Sequence, residues 1–335
     1  MYRTARGLLF LALIVTTWGL SACGGSSQPG SQRVAEPGDR PDWQIGPFEK
    51  YEGNPILTPG TRDWESKDVF NPATWADRDS VYMLYRAEDS TGMGEWNGTS
   101  RIGLATSADG FQFERRPEPV FGPSEPWELP GGTEDPRLVR VRDTFYLTYT
   151  GYDGETARLG IASSTNLTDW TKHGQVFPDS GWTKAGAILP QKVDGRYWMY
   201  FGDTNIWAAH SKNLVEWTAI PEPVLEPREG RWDGRLVEPG PAPRMTEHGI
   251  LLLYNAANDS LVYRTGQALF DPEDPTRLVE RSEEPFLTPT AELSRTGQVP
   301  NVVFIEGLVR KDGQWFLYFG MGDSGIGVAT APVEE

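Results

Sequence analysis

The sequence predicts an all-β fold, a five-bladed β-propeller, on three observations. An aromatic-rich strand recurs five times, starting at residues 81, 145, 197, 250 and 315. Each copy follows a charged or Gly-containing turn, and a second short strand resembling its counterparts follows in four of the five. No segment carries a long apolar repeat with the helical period, so helices should be few. Units spaced 52 to 65 residues apart, each with about four strands, suit blades arranged around an axis. The 335-residue composition agrees: 13 Trp, 12 Tyr and 14 Phe stand beside 37 Gly and 27 Pro, a mixture of strand and turn formers.

The chain opens with Arg3 and Arg6, then a mostly apolar run from Leu8 to Leu20 that is short for a membrane span. Leu20-Ser21-Ala22-Cys23 follows, and the whole resembles a bacterial lipoprotein signal. That resemblance implies cleavage before Cys23, acylation of Cys23, and attachment to a membrane of the cell envelope. Gly24 to Pro41 is rich in Gly, Ser, Gln and Pro, a flexible tether with little apolar surface to bury. The expected organisation is a leader over residues 1–22, a tether over 23–45 and a propeller over 46–335. Cys23 is the only cysteine, so no intramolecular disulfide forms and thiol chemistry is excluded once it is acylated.

The five aromatic strands are Val81–Tyr85, Phe145–Tyr149, Tyr197–Phe201, Ile250–Tyr254 and Trp315–Phe319. Hairpin turns precede them: Asp77-Arg78-Asp79, Val141-Arg142-Asp143, Asp194-Gly195-Arg196, Glu247-His248-Gly249 and Lys311-Asp312-Gly313. The following strands are Ile102–Ser107, Leu159–Ser164, Ile206–Ser211 and Ile326–Thr330, and Phe113, Trp170 and Trp217 mark a capping strand after three of them. The segment before each aromatic strand should run beside the axis: Asp68–Pro72, Glu134–Leu138, Lys184–Ile188, Glu238–Ala242 and Asn301–Glu306. Each sets a polar or charged residue among apolar ones, and a propeller would bring these five together at one mouth.

The formal charge of −16 disfavours phosphate backbones, which sets nucleic acid aside. The three histidines, His173, His210 and His248, are scattered; no metal-ligand spacing, phosphate-binding glycine loop or Gly-x-Ser-x-Gly is present, so no metal or cofactor is expected. Convergent carboxylates without a metal point to cleavage of a glycosidic bond. That reaction needs one acid to protonate the leaving oxygen and one carboxylate to act as nucleophile or activate water. Asp135 sits in Gly131-Gly132-Thr133-Glu134-Asp135-Pro136-Arg137, where Pro136 fixes the exit direction and Arg137 stands ready to hold the carboxylate. Glu238 precedes a rigid Pro-Gly-Pro, and Glu306 ends the apolar run Val302–Ile305, where an unpaired charge is costly. Asp68, Arg86, Lys184 and Asp323 also lie at inner positions.

The segments Asn54–Leu57, Val69–Ala73, Leu84–Ala87, Ser100–Ala105, Gly131–Arg137, Asp271–Pro275 and Gly297–Phe304 together resemble glycoside hydrolase family 130, in order and spacing from about residue 50 to the end. The resemblance implies a five-bladed propeller acting on β-mannosides with inversion, in a family holding both phosphorylases and hydrolases. It implies that Asp135 is the general acid, relaying its proton through a substrate hydroxyl, and that Asn71, Arg86 and Asp323 bind sugar. The phosphorylase branch is expected to carry a His-Arg pair where this chain reads Met199–Asp203, and a small or thiol residue where it has Glu306. Glu238 and Glu306 thus add acid where phosphate would sit, which favours hydrolysis of a manno-oligosaccharide with Glu238 or Glu306 as base. The alternatives are a phosphorylase, with Arg86 and Lys184 as phosphate ligands, and a non-catalytic glycan-binding propeller. A more distant furanosidase-like action would use Asp68, Asp135 and Glu238.

Overall fold

The computed structural model describes residues 40–91 and 98–334, so the leader, Cys23 and nearly all of the tether lie outside the described residues. The packed unit begins at Pro41, five residues ahead of the expected boundary. Trp43 is the reason, since its indole is buried between the fourth and fifth blades. The backbone of Ile45 adds a reciprocal pair of hydrogen bonds with the Gln267 amide.

Five antiparallel sheets follow one another along the chain. The first blade comprises Asp68–Ala76, Val81–Glu88, Ser100–Ser107 and Glu114–Arg115. The second comprises Gly132–Val141, Thr144–Tyr152, Ala157–Ser164 and Thr171–Gln175. The third comprises Ala187–Val193, Arg196–Phe201, Ile206–Ser211 and Thr218–Leu225. In the fourth, Leu236–Pro239 and Arg244–Met245 both pair with Ile250–Ala257, followed by Tyr263–Phe270 and Leu278–Arg281. The fifth has Val303–Lys311, Gln314–Met321 and Gly325–Pro332, and its outermost strand is Glu49–Lys50 from the other end of the chain. That exchange closes the ring. One parallel bridge, Ser100 to Gly132, also joins the first two blades. This is the predicted propeller.

The inner and middle strands are buried on both faces because each sheet packs against two neighbours, while outer strands such as Thr171–Gln175 and Leu278–Arg281 are largely exposed. The apolar core is therefore not one mass but five layers, one between each pair of adjacent blades. Burial of large side chains such as Phe270, Phe319 and Leu147 in these layers supplies the main folding drive.

A recurrent module stiffens three blades. Trp64-Glu65, Trp127-Glu128 and Trp232-Asp233 each lie ahead of an inner strand, and each Trp stacks on the buried Tyr of the following strand: Tyr85, Tyr149 and Tyr254. The Tyr hydroxyl donates to the adjacent carboxylate at 2.8–3.0 Å. A cation completes each group: Arg115, Lys172 and Arg228. Gly103, Gly160 and Gly266 face these rings, where a Cβ would come within 2.3–2.6 Å of the Tyr ring. The buried acids are thus paired and bonded, as burial demands.

Candidate active site

The five inner strands run in the same direction beside the axis, and their starts share one mouth. Regular pleating would point alternate side chains sideways into the interblade layers. Three of the strands break that pattern with a bulge near the site, and the third blade's inner strand has an irregularity farther on, between Leu189 and Val193. The register skips Asn71 between Phe70 and Pro72, Asp135-Pro136 between Glu134 and Arg137, and Glu306 between Ile305 and Gly307. A bulge leaves its extra residue unpaired and re-aims the side chain. Asn71 and Asp135 accordingly adopt left-handed backbone, with φ of 48° and 47°. Both precede proline, which removes a ladder donor and fixes the chain beyond the bulge. Asp323, in the turn after the second strand of the last blade, is left-handed too, with φ of 50°. Strained non-glycine backbone of this kind concentrates where function requires a particular side-chain position.

The bulges bring separated residues together. Asp135 Oδ1 accepts from Asn71 Nδ2 at 2.7 Å and from Arg86 Nη1 at 2.9 Å. Its Oδ2 lies 3.1 Å from Lys184 Nζ, and the same ammonium lies 3.7 Å from Glu238 Oε1. Arg137 Nη2 then links Glu238 at 3.5 Å to Glu306 at 3.1 Å. Asp135, Glu238 and Glu306 therefore form one chain of carboxylates bridged by two cations, all at most 4 % exposed. Arg86 is gripped further by Glu88 and Glu134, and its Nε donates to Ser100. Asp68 closes the edge beside Glu88, with Ser324 bonded to its carboxylate.

Arg137 differs from expectation. It does not hold the Asp135 carboxylate in a bidentate grip. Its guanidinium donates instead to the main-chain oxygens of Gly240 and Pro239 at 3.0 and 2.7 Å, and only weakly to that of Asp135. Asn71, Arg86 and Lys184 do the work assigned to it. Several site residues carry no clear signal in the sequence. Glu134 and Glu88 grip Arg86. Asn255 bonds both the amide and the carbonyl of Ile305, fixing the bulge at Glu306. Tyr263 lies near Glu238, Lys184 and Asp323. Trp182, 55 % exposed, donates its indole N–H to Asp203 at 2.7 Å and meets Tyr152 edge-on. Trp182 lies between the second and third blades, so only the assembled ring makes it a neighbour of both Tyr152 and Asp203.

Charge is distributed unequally. Burial would raise the Asp135 carboxyl, but Lys184, Arg86, Arg137 and the Asn71 bond outweigh it and hold it far below the usual range. Burial dominates at four other carboxyls. It lifts Glu238 to about 7 against the pull of Lys184 and Arg137, Asp323 to about 7 against Arg86, and Glu134 to about 7 against Arg86. Glu306 is pushed well above its ordinary value by burial, opposed by Arg137. Its oxygens lie near Arg137 but in no aligned hydrogen bond, so the nearby guanidinium does not offset the loss of water. The free site is an ionised Asp135 beside carboxyls that retain protons near neutrality. Two acids separated in this way are what general acid–base chemistry uses. Among the described residues no group of three or more His, Cys, Asp or Glu has metal-binding geometry.

The chain is similar to known proteins over most of its length. A family profile described as beta-1,4-mannooligosaccharide phosphorylase, that of glycoside hydrolase family 130, matches residues 48–335. A 1,2-beta-oligomannan phosphorylase of Thermoanaerobacter sp. (strain X514) is 35% identical over 294 residues, covering 86% of this chain and 98% of the relative. A solved glycosyl hydrolase from Bacteroides ovatus is 39% identical with a TM-score of 0.84, covering 87% of this chain and 95% of that one. A further structure with the same identity, coverage and TM-score is described by the statement that the GH130 family of mannoside phosphorylases contains glycoside hydrolases that target beta-1,2 mannosidic linkages in Candida mannan.

Proposed function

The chain belongs to glycoside hydrolase family 130, and from that membership we propose that it hydrolyses β-1,2-mannosidic bonds in manno-oligosaccharides, inverting the anomeric carbon. The linkage is that of the Thermoanaerobacter relative and of the hydrolases named with the 39%-identical structure. The observation that carries the reading is the pairing of Asp135 and Glu238 across a single ammonium, with more carboxylates than cations around them.

Asp135 delivers the proton, as its family resemblance implies, through a hydroxyl of the bound mannosyl unit to the departing oxygen. Glu238 takes a proton from a water whose oxygen attacks the anomeric carbon as the glycosidic bond breaks. In the free site the proton rests on Glu238 and its neighbours rather than on Asp135. Interacting carboxyls share their protons as a set. Sugar hydroxyls that draw Lys184 and Arg86 away from Asp135 raise its proton affinity, and Lys184 left against Glu238 favours the ionised base. Asn71, Arg86 and Asp323 hold the mannosyl unit, and Trp182 offers a face to the sugar on the leaving side.

A second reading, phosphorolysis, is favoured by the names of the curated relatives and of the family profile; on those names alone it is the stronger one. The geometry weighs the other way. Arg86 is already paired with Glu88, Glu134 and Asp135, Lys184 with Asp135 and Glu238, and Arg137 with Glu238 and Glu306. Each of the three cations is already occupied by carboxyl groups, so a phosphate dianion entering there would have to displace them.

The test is product NMR on β-1,2-mannobiose with and without inorganic phosphate. Release of α-mannose in phosphate-free buffer is expected. Product that forms only with phosphate, as mannose 1-phosphate, establishes the second reading, and no product in either buffer leaves a glycan-binding role. The acid is tested by Asp135→Asn: kcat on mannobiose should fall by about 10³-fold or more, while β-mannosyl fluoride, whose leaving group needs no proton, is still cleaved. If Glu238→Gln shows that pattern instead, the two roles are exchanged.

A further inference from the structure

The inner strands continue past the site to the opposite mouth of the axis, and there the character of the lining changes. Below Glu306, which forms part of its wall, lies a cavity of ≈ 320 Å³ lined among others by Thr74, Arg140, Arg244 and Arg310, each three or more places beyond Asn71, Asp135, Glu238 or Glu306 along the chain. At about 3.3 Å per residue this places them some 10–20 Å from the mouth occupied by Asp135. In a chain of net charge −16 the three arginines stand almost without carboxylates. Among the described residues none pairs with Arg244 or Arg310, and Arg140 has only a 3.6 Å contact with the fully exposed Asp143. What orders them is aromatic: Arg244 and Arg310 lie 4.8 and 5.3 Å from the Trp315 ring centre, and Arg140 lies 5.1 Å from that of Trp75.

Two like charges sharing one indole are held against their mutual repulsion. Burial, then the nearness of Arg310, lowers the Arg244 guanidinium below its ordinary value. The deeper wall supplies unused polar groups as well. Thr74 Oγ1 is buried with no hydrogen-bond partner, and so are both oxygens of Glu306, which also lines this cavity and is held protonated by burial. Cations at the rim, a free hydroxyl and a carboxylic acid below, and Pro190, Pro241 and Pro243 between them form a lining that donates hydrogen bonds and lacks an anion to receive them.

We propose that this opposite mouth is a second binding site, sharing only the wall residue Glu306 with the catalytic funnel, for a small ligand bearing an oxyanion, either a carboxylate- or phosphate-bearing monosaccharide or free inorganic phosphate. The volume sits at the lower end of small-molecule sites, room for one sugar-sized ligand. The test is calorimetric titration of the full chain with glucuronate, glucose 6-phosphate, inorganic phosphate and, as the neutral control, glucose. Saturable binding of at least one anion and none of glucose is expected. Arg310→Gln and Arg140→Gln, both at exposed positions where folding is unaffected, should together weaken it about tenfold or more, while Lys184→Gln, in the catalytic funnel, should leave it unchanged. Inorganic phosphate binding as tightly as the sugar acids assigns the site to the free ion; a preference for the sugar acids assigns it to the larger ligand. No anion binding up to about 50 mM, binding indifferent to the arginine pair, or binding lost with Lys184 overturns the proposal. Turnover of β-1,2-mannobiose by Arg310→Gln is measured alongside and should stay within about twofold of the parent, so the catalytic reading and this one fail independently.

Discussion

Asp323 shows how a single half-buried carboxyl couples catalysis to stability. Its folded carboxyl titrates at about 7 because burial outweighs the attraction of Arg86, whereas in the unfolded chain an aspartyl group titrates near 4. Below pH 4 both states hold the proton and the site costs nothing. Between pH 4 and 7 the unfolded chain releases it and the folded one does not, so stability is lost progressively as pH rises and the loss is complete above 7. Asp323→Asn removes the titration, and asparagine accepts the left-handed φ of 50°. We expect its melting temperature to match the parent at pH 4 and to exceed it at pH 8, by up to roughly 4 kcal/mol in unfolding free energy, while activity falls. An increment equal at both values would show that burial does not perturb this group. Asp135, Glu238 and Glu306 are legible in the sequence because each interrupts an apolar or Gly/Pro-rich run. Glu88, Glu134, Asn255 and Tyr263 are not, because strand-end polar residues look alike until the blades are assembled.

Among the elements, the repeat of aromatic strands is legible because its period survives in the chain, and the five inner strands fall where the turns place them. The Trp–acid–Tyr module is not. Its parts lie in a loop, a second strand and a third strand, with Gly103, Gly160 or Gly266 contributing only by having no side chain. The module is testable at Gly160. A methyl there would lie 2.4 Å from the Tyr149 ring and 2.7 Å from Trp127, so Gly160→Ala should destabilise by about 1–3 kcal/mol in urea unfolding. Gly181→Ala, where nothing lies within 4 Å of the added methyl, serves as control and should stay within about 0.5 kcal/mol. Equal behaviour of the two would mean that the stacked rings have room to move apart. The bulges at Asn71, Asp135 and Glu306 are likewise invisible to periodicity, because an extra residue in a strand leaves the flanking apolar pattern intact.

For the whole molecule, five interblade layers have to close into a ring, and the Glu49–Lys50 strand is the clasp. The layer between the fourth and fifth blades is the one Trp43 fills. Trp43→Ala should cost about 3–5 kcal/mol and lower the thermal midpoint, with the change read by calorimetry; an unaltered midpoint would mean the segment before the first blade is not part of the cooperative unit. The clasp also sets when the protein can finish folding. Its partners, Thr330 and Ala329, belong to the fifth blade. A nascent chain with four blades emerged is an open arc, with a bare face at each end and Glu49–Lys50 still unpaired. Completion is thereby deferred until the fifth blade has emerged, and until then the two bare faces are apolar surface on which one arc can stick to another.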